Sequence, residues 1–251
     1  HILPMYDYGS VDESRLDVPQ FNWGYDPINF NVPEGSYASD PFHGEVRVKE
    51  VKQMVKGLHD NGISVVMDVV YNHVYEAKDF CFNQIVPDYF SRVDEKGVYS
   101  NGSFCGNDTA SERSMVHKYI VDSVCYWADE YHIDGFRFDL MGLIDVELLN
   151  RIQHTLDITY GKGEKLIYGE PWGAAGPSAR PGTVLCSKDH MKLLSSQIAA
   201  FCDNTRDAVK GGLESPEAAG FVNGGEFAWY PYADENIMIN SDSALVMTDK
   251  K

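Results

Sequence analysis

Basic residues are scarce in this sequence, and their scarcity limits the ligands it can bind. It has 21 Lys and Arg against 38 Asp and Glu in 251 residues, a formal net charge of −17. Nucleic-acid binding depends on clustered Lys and Arg that neutralise phosphates, so we expect no nucleic-acid partner. The same charge disfavours an anionic membrane surface, and no apolar run approaches the ~20 residues of a spanning helix. The net charge is compatible with neutral ligands such as sugars.

Cysteines are too irregularly spaced to define a metal centre or a complete disulfide framework. The five cysteines include no CxxC pair, and their number is odd. We therefore predict no metal site and expect reduced thiols, with a bridge between Cys81 and Cys105 as the alternative. The sequence also lacks a recognisable signal peptide, internal repeats and low-complexity tracts.

Apolar periodicity predicts helices that alternate with buried strands. Helical spacing covers residues 45–60, 111–131 and 145–160, and a further helix is expected from about His190. Strand-like runs follow these segments at residues 63–70, 133–138, 165–168 and 197–201. This alternation predicts the α/β class with parallel strands and crossover helices. Without a linker-like segment, one domain over residues 1–251 is the simplest prediction.

Two long irregular segments, residues 6–42 and 75–110, interrupt this rhythm. Both are rich in Gly, Pro, Asn, Asp and aromatic residues. Loops of this length within a compact domain are usually functional. Each follows the C-terminal end of a predicted strand, which is the rim where α/β barrels build active sites. We therefore predict that both are rim loops.

Polar residues interrupt three predicted strands near their C-terminal ends. They are Asp68, Asn72 and His73 in "DVVYNH", Arg137 and Asp139 in "GFRFD", and Glu170 in "YGEPW". One such residue alone would be read as a cap or a structural ion pair. Because the carboxyl ends of consecutive parallel strands meet at one edge, three interruptions together predict a functional site.

Two of these carboxyl groups suit glycoside hydrolysis, which needs one ionised carboxylate and one protonated acid. Arg137 lies two residues before Asp139 and therefore on the same strand face, where its charge should keep Asp139 ionised as the nucleophile. Glu170 stands beside Pro171 and Trp172. An apolar wall raises the pKa of a carboxyl group, so we predict that Glu170 is the general acid.

The same stretches resemble motifs of a known enzyme group. "DVVYNH" (68–73), "GFRFDLM" (135–141) and "YGEPW" (168–172) resemble, in order and spacing, three motifs of the α-amylase superfamily of glycoside hydrolases. "FNWGYDP" (21–27) resembles the motif typical of type I pullulanases, and "RDAVKGG" (206–212) with "GFVNG" (220–224) resembles their sixth-strand region. The similarity extends from His1 to about Gly224.

This resemblance implies a role for each matching position. Asp139 would be the nucleophile of a retaining reaction and Glu170 the acid/base, with Trp172 lining the site. His73 would bind the sugar at the cleavage point, while Arg137, Asp68 and Asn72 brace the site. Tyr25 and Asp26 would contact the sugar beside an α-1,6 bond. Trp23 and Trp172 would stack on sugar faces, with burial in the core as the alternative for each.

The C-terminal stretch departs from the family pattern. Aligning the final Asp-Lys places Ser241-Asp242-Ser243 over the superfamily's His-Asp-Asn triplet, so Asp242 is the candidate third carboxylate. A complete barrel needs eight strands, whereas this sequence covers about the second to the seventh. We therefore expect an incomplete (β/α)8 TIM barrel whose partner is the remainder of its own barrel.

The predicted function is cleavage of α-1,6-glucosidic links in pullulan, amylopectin or branched maltooligosaccharides. One alternative is an α-glucan-binding fragment without turnover. The other is an α-1,4-acting hydrolase of the same superfamily, against which "FNWGYDP" argues. No cofactor is expected for the chemistry. The acidic residues of the second long segment have two interpretations: ligands of a structural Ca²⁺, or carboxylates that are simply solvated. These residues are Asp79, Asp88, Asp94 and Asp108.

Overall fold

The computed structural model describes residues 1–213, 219–223, 227–228, 237–240 and 243–247. The chain divides into two compact units, residues 1–200 and 201–251. The first unit contains β1 (Tyr6–Tyr8), β2 (Pro27–Pro33), α1 (Gly44–His59), β3 (Val66–Val69), α2 (Cys81–Ile85), α3 (Ser114–Glu130), β4 (Gly135–Phe138), α4 (Val146–Tyr160), β5 (Leu166–Gly169) and β6 (Ile198–Ala200). The second contains α5 (Asp203–Lys210), β7 (Phe227–Ala228), β8 (Ile237–Asn240) and β9 (Ser243–Met247). One domain over the whole chain stays a prediction.

The centre of the first unit is a four-stranded parallel sheet in the order β3-β4-β5-β6. Helices α3 and α4 connect β3 to β4 and β4 to β5, as parallel strands require. At the other edge of β3, Ile2 forms a parallel bridge with Met67. The predicted α/β class with parallel strands is thus confirmed for this unit.

Helix α4 begins and ends where the sequence signals place it, whereas α3, expected from residue 111, begins at Ser114. Asp145 caps α4, because its side chain accepts a hydrogen bond from the N–H of Leu148 (2.9 Å). Gly161 ends the helix with φ of 109°, a conformation that favours glycine. The apolar sides of α3 and α4 are buried against the sheet, and residues such as Ile120, Trp127 and Ile152 are fully buried in the core.

The helix expected from about His190 is a short 3-10 helix, Lys188–Leu193. The side chain of Asn150 in α4 explains its early end. Asn150 donates to the carbonyl of Leu193 (2.9 Å) and accepts from the N–H of Ser195 (2.7 Å), which satisfies backbone groups that another helical turn would have used.

The first long segment, residues 6–42, is more ordered than the sequence predicted, because β1 and β2 pair as an antiparallel hairpin. Phe30 of β2 is buried in the core, and its carbonyl accepts a hydrogen bond from the indole Nε1 of Trp127 (2.8 Å). This bond attaches the hairpin to α3.

The second long segment, residues 75–110, contains α2 and two isolated bridges, Ser91 with Thr109 and Val93 with Tyr99. All five cysteines are free thiols, so Cys81 and Cys105 are not bridged. The structure therefore shows the expected reduced thiols and not the alternative bridge.

The strand expected near the C-terminus as the seventh of a barrel is not part of the parallel sheet. The described residues there form β7, β8 and β9, which pair antiparallel with one another. In the second unit α5 ends at Gly211, which bridges Ala219. Among the described residues, no helix is both long enough and apolar enough to cross a membrane.

Trp127→Phe is expected to lower the free energy of unfolding by about 2–4 kcal/mol. The change removes the donor to the Phe30 carbonyl and leaves a cavity in a fully buried position. Trp23→Phe is the matched control, since Trp23 is 61% exposed and its replacement should cost less than about 0.5 kcal/mol. Denaturant unfolding of both variants measures the difference. Equal effects would contradict the anchoring role of Trp127.

Candidate active site

The polar residues of the three interrupted strands lie at one edge of the parallel sheet. Asp68, Arg137 and Tyr168 are in register across β3, β4 and β5. Asp139 is the first residue after β4, and its N–H donates to a β3 carbonyl (3.0 Å). Glu170 follows β5 in the same way and donates to a β4 carbonyl (3.2 Å). The strand register therefore places Asp139 and Glu170 side by side.

The guanidinium of Arg137 contacts carboxylates from all three strands. Its Nη1 donates to Oδ1 of Asp68 (2.9 Å) and to Oδ1 of Asp139 (2.9 Å). Its Nη2 lies 2.5 Å from Oε1 of Glu170. The arginine side chain is 9% exposed. The structure thus brings together Arg137 and Asp139, which the sequence predicted on one face. Asp68 and Glu170 contact the same guanidinium.

Three carboxylates around one guanidinium give the cluster a net negative charge, and burying that charge is energetically costly. Burial raises the pKa of Asp139 to about 6, although hydrogen bonds from Asn72 and the charge of Arg137 oppose the shift. Burial also raises the pKa of Asp68. With this pKa, Asp139 is mostly ionised at pH 7, but the pKa lies above the ordinary range because desolvation outweighs the arginine that we expected to dominate.

The surroundings of Glu170 differ from the apolar wall that the sequence suggested. One carboxylate oxygen meets Arg137, and the other accepts the backbone N–H of Leu140 (3.1 Å). The side chain is 20% exposed. Pro171 and Trp172 are neighbours along the chain, but charge and hydrogen bonding dominate at the two oxygens.

Asn72 and His73 connect the nucleophile candidate to the first long segment. The amide of Asn72 donates to the carbonyl and to Oδ2 of Asp139, both at 2.9 Å. Its Oδ1 lies 2.7 Å from Nδ1 of His73, whose Nε2 lies 2.9 Å from the carbonyl of Tyr25. Burial lowers the pKa of His73 to about 4, so the ring is neutral at pH 7. Both ring nitrogens face protein oxygens, and sugar binding by His73 stays a prediction.

Tyr25 uses its hydroxyl group inside the protein. Its Oη donates to Oδ2 of Asp68 (2.7 Å), and Nε2 of His1 lies 3.3 Å from the same oxygen. Burial and the neighbouring carboxylate raise the pKa of Tyr25, which keeps the hydroxyl protonated as a donor. Asp68 is 1% exposed, so it braces the site rather than facing solvent.

Asp26 closes the loop that contains the "FNWGYDP" motif. Its carboxylate accepts from the N–H of Ser10 (2.8 Å) and from the amide of Asn22 (3.2 Å). Gly24 has φ of 86°, and an added Cβ would lie 2.9 Å from the carbonyl oxygen of Pro4. These contacts give the loop a defined shape.

The two tryptophans have different surroundings. Trp23 is 61% exposed and lies edge-on to Phe21, with 5.9 Å between the ring centroids, so burial in the core is wrong for this residue. Trp172 is half-buried, and Nζ of Lys188 lies 5.8 Å from its ring centroid. An exposed Trp23 ring is available to stack on a ligand.

Sequence reasoning missed the residues that follow the nucleophile candidate. Leu140 is in the left-handed conformation, with φ of 39°, and holds Glu170 through its N–H. Gly142 donates to the backbone carbonyl of Glu170 (2.9 Å). The sequence offered one signal, a glycine four residues beyond a buried strand.

The acidic residues that were candidate Ca²⁺ ligands include two with structural partners. Asp108 accepts from the hydroxyl of Ser100 (2.5 Å) and from the N–H groups of Gly102 and Ser103. Asp94 accepts two backbone N–H groups of its own turn. A structural Ca²⁺ in this segment stays a prediction.

A second acidic group lies in the first long segment, where carboxylate oxygens of Asp7, Glu13 and Glu34 are within 4.8 Å of one another. Arg47 forms ion pairs with Asp7 (3.6 Å) and with Glu13. Both oxygens of Glu34 accept backbone N–H groups. The carboxylates of this group therefore have protein donors of their own.

Asp242, the candidate third carboxylate, lies outside the described residues. The other ten predicted site residues all belong to the first unit.

Comparison with known proteins gives consistent matches. No family model matches the chain. Pullulanase of Bacillus subtilis (strain 168) is 44% identical over 225 residues, which are 89% of this chain and 30% of that protein. The chloroplastic pullulanase 1 of Arabidopsis thaliana is 35% identical over 89% of this chain and 27% of its own length. A crystal structure of Paenibacillus barengoltzii pullulanase, complexed with maltohexaose and α-cyclodextrin, superposes with a TM-score of 0.84 at 46% identity, covering 89% of this chain and 34% of that one.

The parallel sheet with its edge carboxylates and these matches relate the chain to the glycoside hydrolases. More narrowly, the chain is a homologue of the pullulanases and corresponds to part of their catalytic region. It spans about a third of the length of the relatives that it matches.

Arg137→Met is expected to destabilise the protein by about 3–5 kcal/mol at pH 8, because it leaves buried carboxylates without their cation. The deficit should shrink toward pH 5. Arg137 lowers the pKa of Asp68 and of Asp139, so the folded variant would hold protons to higher pH and gain stability relative to wild type as pH falls.

Unfolding free energies measured from pH 5 to 8 would test this. Arg15→Met, which removes an arginine from an exposed ion pair, is the matched control and should show no such trend. A deficit for Arg137→Met that is constant across the pH range would contradict the charge balance inferred for the cluster.

Proposed function

We propose that this chain supplies the nucleophile and the acid/base of a retaining glycoside hydrolase that cleaves α-1,6-glucosidic links in pullulan, amylopectin or branched maltooligosaccharides. The observation that carries the proposal is the contact of a single guanidinium, that of Arg137, with both Asp139 and Glu170 at the ends of adjoining strands. Pullulanases at 44–46% identity support the reaction class, and the Paenibacillus structure in complex with maltohexaose supports an α-glucan as substrate.

In this reaction Glu170 donates its proton to the glycosidic oxygen while Oδ of Asp139 attacks the anomeric carbon, and the glycosidic C–O bond breaks. The product is a glycosyl ester on Asp139 and a free sugar hydroxyl. Water then attacks the anomeric carbon, Glu170 takes the proton of that water, the bond between the anomeric carbon and Oδ of Asp139 breaks, and Asp139 leaves as carboxylate. With a pKa of about 6, Asp139 is available as the nucleophile above that pH.

The remaining predicted residues have supporting roles in the proposal. Asn72 orients Asp139 through its two hydrogen bonds, and Asp68 shares the charge of Arg137. Tyr25, Asp26, Trp23, Trp172 and His73 would form the surface that receives the sugars flanking the branch point. Asp242 would be the third carboxylate.

We also propose that the chain supplies about the second to the seventh strand of a (β/α)8 barrel, with the four-stranded parallel sheet as its central part and the rest of the barrel as its partner. The outer edge of β3 already carries the Ile2 bridge, and β6 is the other end of the four-stranded order. An edge strand with unpaired backbone groups accepts further strands readily, which supports a continuation there.

Asp139→Asn in the full-length protein is expected to lower kcat on pullulan by about 10⁴-fold or more, since an amide cannot form the glycosyl ester. Glu170→Gln should lower it by roughly 10²–10⁴-fold, because the leaving oxygen loses its proton donor. Release of reducing ends measures both.

Asp134→Asn is the matched control for these variants. Asp134 lies immediately before β4, at the end of the strand remote from Asp139, and its carboxylate accepts the N–H of Val65. Activity of this variant should stay within about twofold of wild type. Near wild-type turnover by Asp139→Asn or Glu170→Gln would overturn the assignment of roles.

The 251-residue chain itself is expected to need the rest of its barrel for turnover. Reducing-end release from pullulan, with amylose as the comparison polymer, should be seen with the full-length protein and be at least tenfold slower with this chain, because substrate positioning requires the complete rim. Binding of maltooligosaccharide without turnover by the full-length protein would instead favour a glucan-binding role. Cleavage of amylose in preference to pullulan would favour an α-1,4-acting hydrolase.

A further inference from the structure

The strand that ends in the nucleophile candidate is followed by a tight turn, residues 140–142, here called the nucleophile turn. Leu140 has φ of 39° and ψ of 48°, in the left-handed region that residues with a Cβ rarely adopt. Such strain persists only where surrounding contacts enforce it, and it concentrates at functional sites. The contacts made by the backbone of Leu140 indicate why this conformation is kept.

The left-handed conformation directs the N–H of Leu140 to the side chain of Glu170. The N–H lies 3.1 Å from Oε2, while Arg137 contacts Oε1. The N–H of Gly142 donates to the backbone carbonyl of the same glutamate (2.9 Å). The nucleophile turn therefore holds both the carboxylate and the main chain of Glu170.

Gly142 makes this contact sterically feasible. A Cβ at position 142 would lie 2.5–2.6 Å from backbone atoms of Trp172, closer than real side chains approach. Because the obstruction is backbone, it cannot rotate away as a flexible side chain would. Only a residue without a Cβ lets the turn pack directly on the segment that carries Glu170.

We propose that the nucleophile turn is a positioning element that sets the direction from which Glu170 delivers its proton. Asp139 and Leu140 are consecutive, so the attacking carboxylate and the N–H that fixes the acid belong to one short rigid segment. Leu140 donates to one oxygen of Glu170 and Arg137 contacts the other, so the two donors together fix the orientation of this carboxyl group relative to Asp139. This inference rests on the role of Glu170 proposed above.

Substrates that differ in their need for a proton test the proposal in the full-length protein. Pullulan releases a sugar hydroxyl and requires the acid, whereas α-maltotriosyl fluoride releases fluoride, which leaves without protonation. Gly142→Ala should lower kcat/KM on pullulan by roughly 10²-fold and on the fluoride by less than about threefold. A loss of equal size on both substrates would show that the turn is only structural.

A second change removes the hydrogen bond without adding bulk. Incorporation of leucic acid in place of Leu140 converts the Asp139–Leu140 amide into an ester, which deletes the N–H but keeps the side chain. We expect the same preference for the fluoride, with a smaller loss on pullulan than for Gly142→Ala. This variant decides the proposal if Gly142→Ala fails to fold: hydrolysis of pullulan at the wild-type rate would overturn it.

Gly135→Ala is the matched control. A Cβ at position 135 would lie 2.7 Å from the carbonyl oxygen of Leu166. This clash lies between β4 and β5, at the end of these strands remote from the carboxylates. It should lower the thermal midpoint and leave the ratio of the two substrates unchanged. Glu170→Gln distinguishes failure of the turn from failure of the acid assignment: if this variant lowers kcat/KM equally on pullulan and on the fluoride, the acid role itself is wrong, whatever the turn variants do.

Discussion

The charge of Arg137 is the constraint on which the candidate site depends. A buried guanidinium is tolerated only when its donors are paired, and here three carboxylates from consecutive strands pair with it. The pairing works in both directions, since each carboxylate would be costly to bury without the cation. The result is a set of oxygens, from Asp68, Asp139 and Glu170, whose relative positions follow from strand register and one shared partner.

Much of this arrangement follows from simple periodicities in the sequence. The twofold repeat of a strand puts Arg137 and Asp139 on one face, and the common direction of parallel strands brings Asp68 and Glu170 to the same edge. The alternation of helical and strand-like segments likewise predicted parallel strands joined by crossover helices. These features are local or follow from chain direction, and the structure agrees with them.

Other features depend on contacts between distant segments, which periodicity does not encode. The pKa of Asp139 is raised because burial of the whole cluster outweighs one arginine, and the extent of burial is set by tertiary packing. The hydroxyl of Tyr25 turns inward to Asp68, 43 residues away along the chain. The left-handed conformation of Leu140 belongs to a leucine, whose type gives no hint of it. The short 3-10 helix near His190 reflects contacts of Asn150 in α4.

The polar contacts that run from the backbone of Tyr25 through His73 and Asn72 to Asp139 have a consequence for changing the proposed linkage preference by mutation. The loop that contains "FNWGYDP" and the nucleophile candidate share one continuous series of polar contacts. Under the proposed function, exchanging that loop for the corresponding segment of another enzyme would disturb turnover as well as linkage preference, unless the main-chain oxygen at position 25 is kept in place. The two proposed properties would then have to be engineered together.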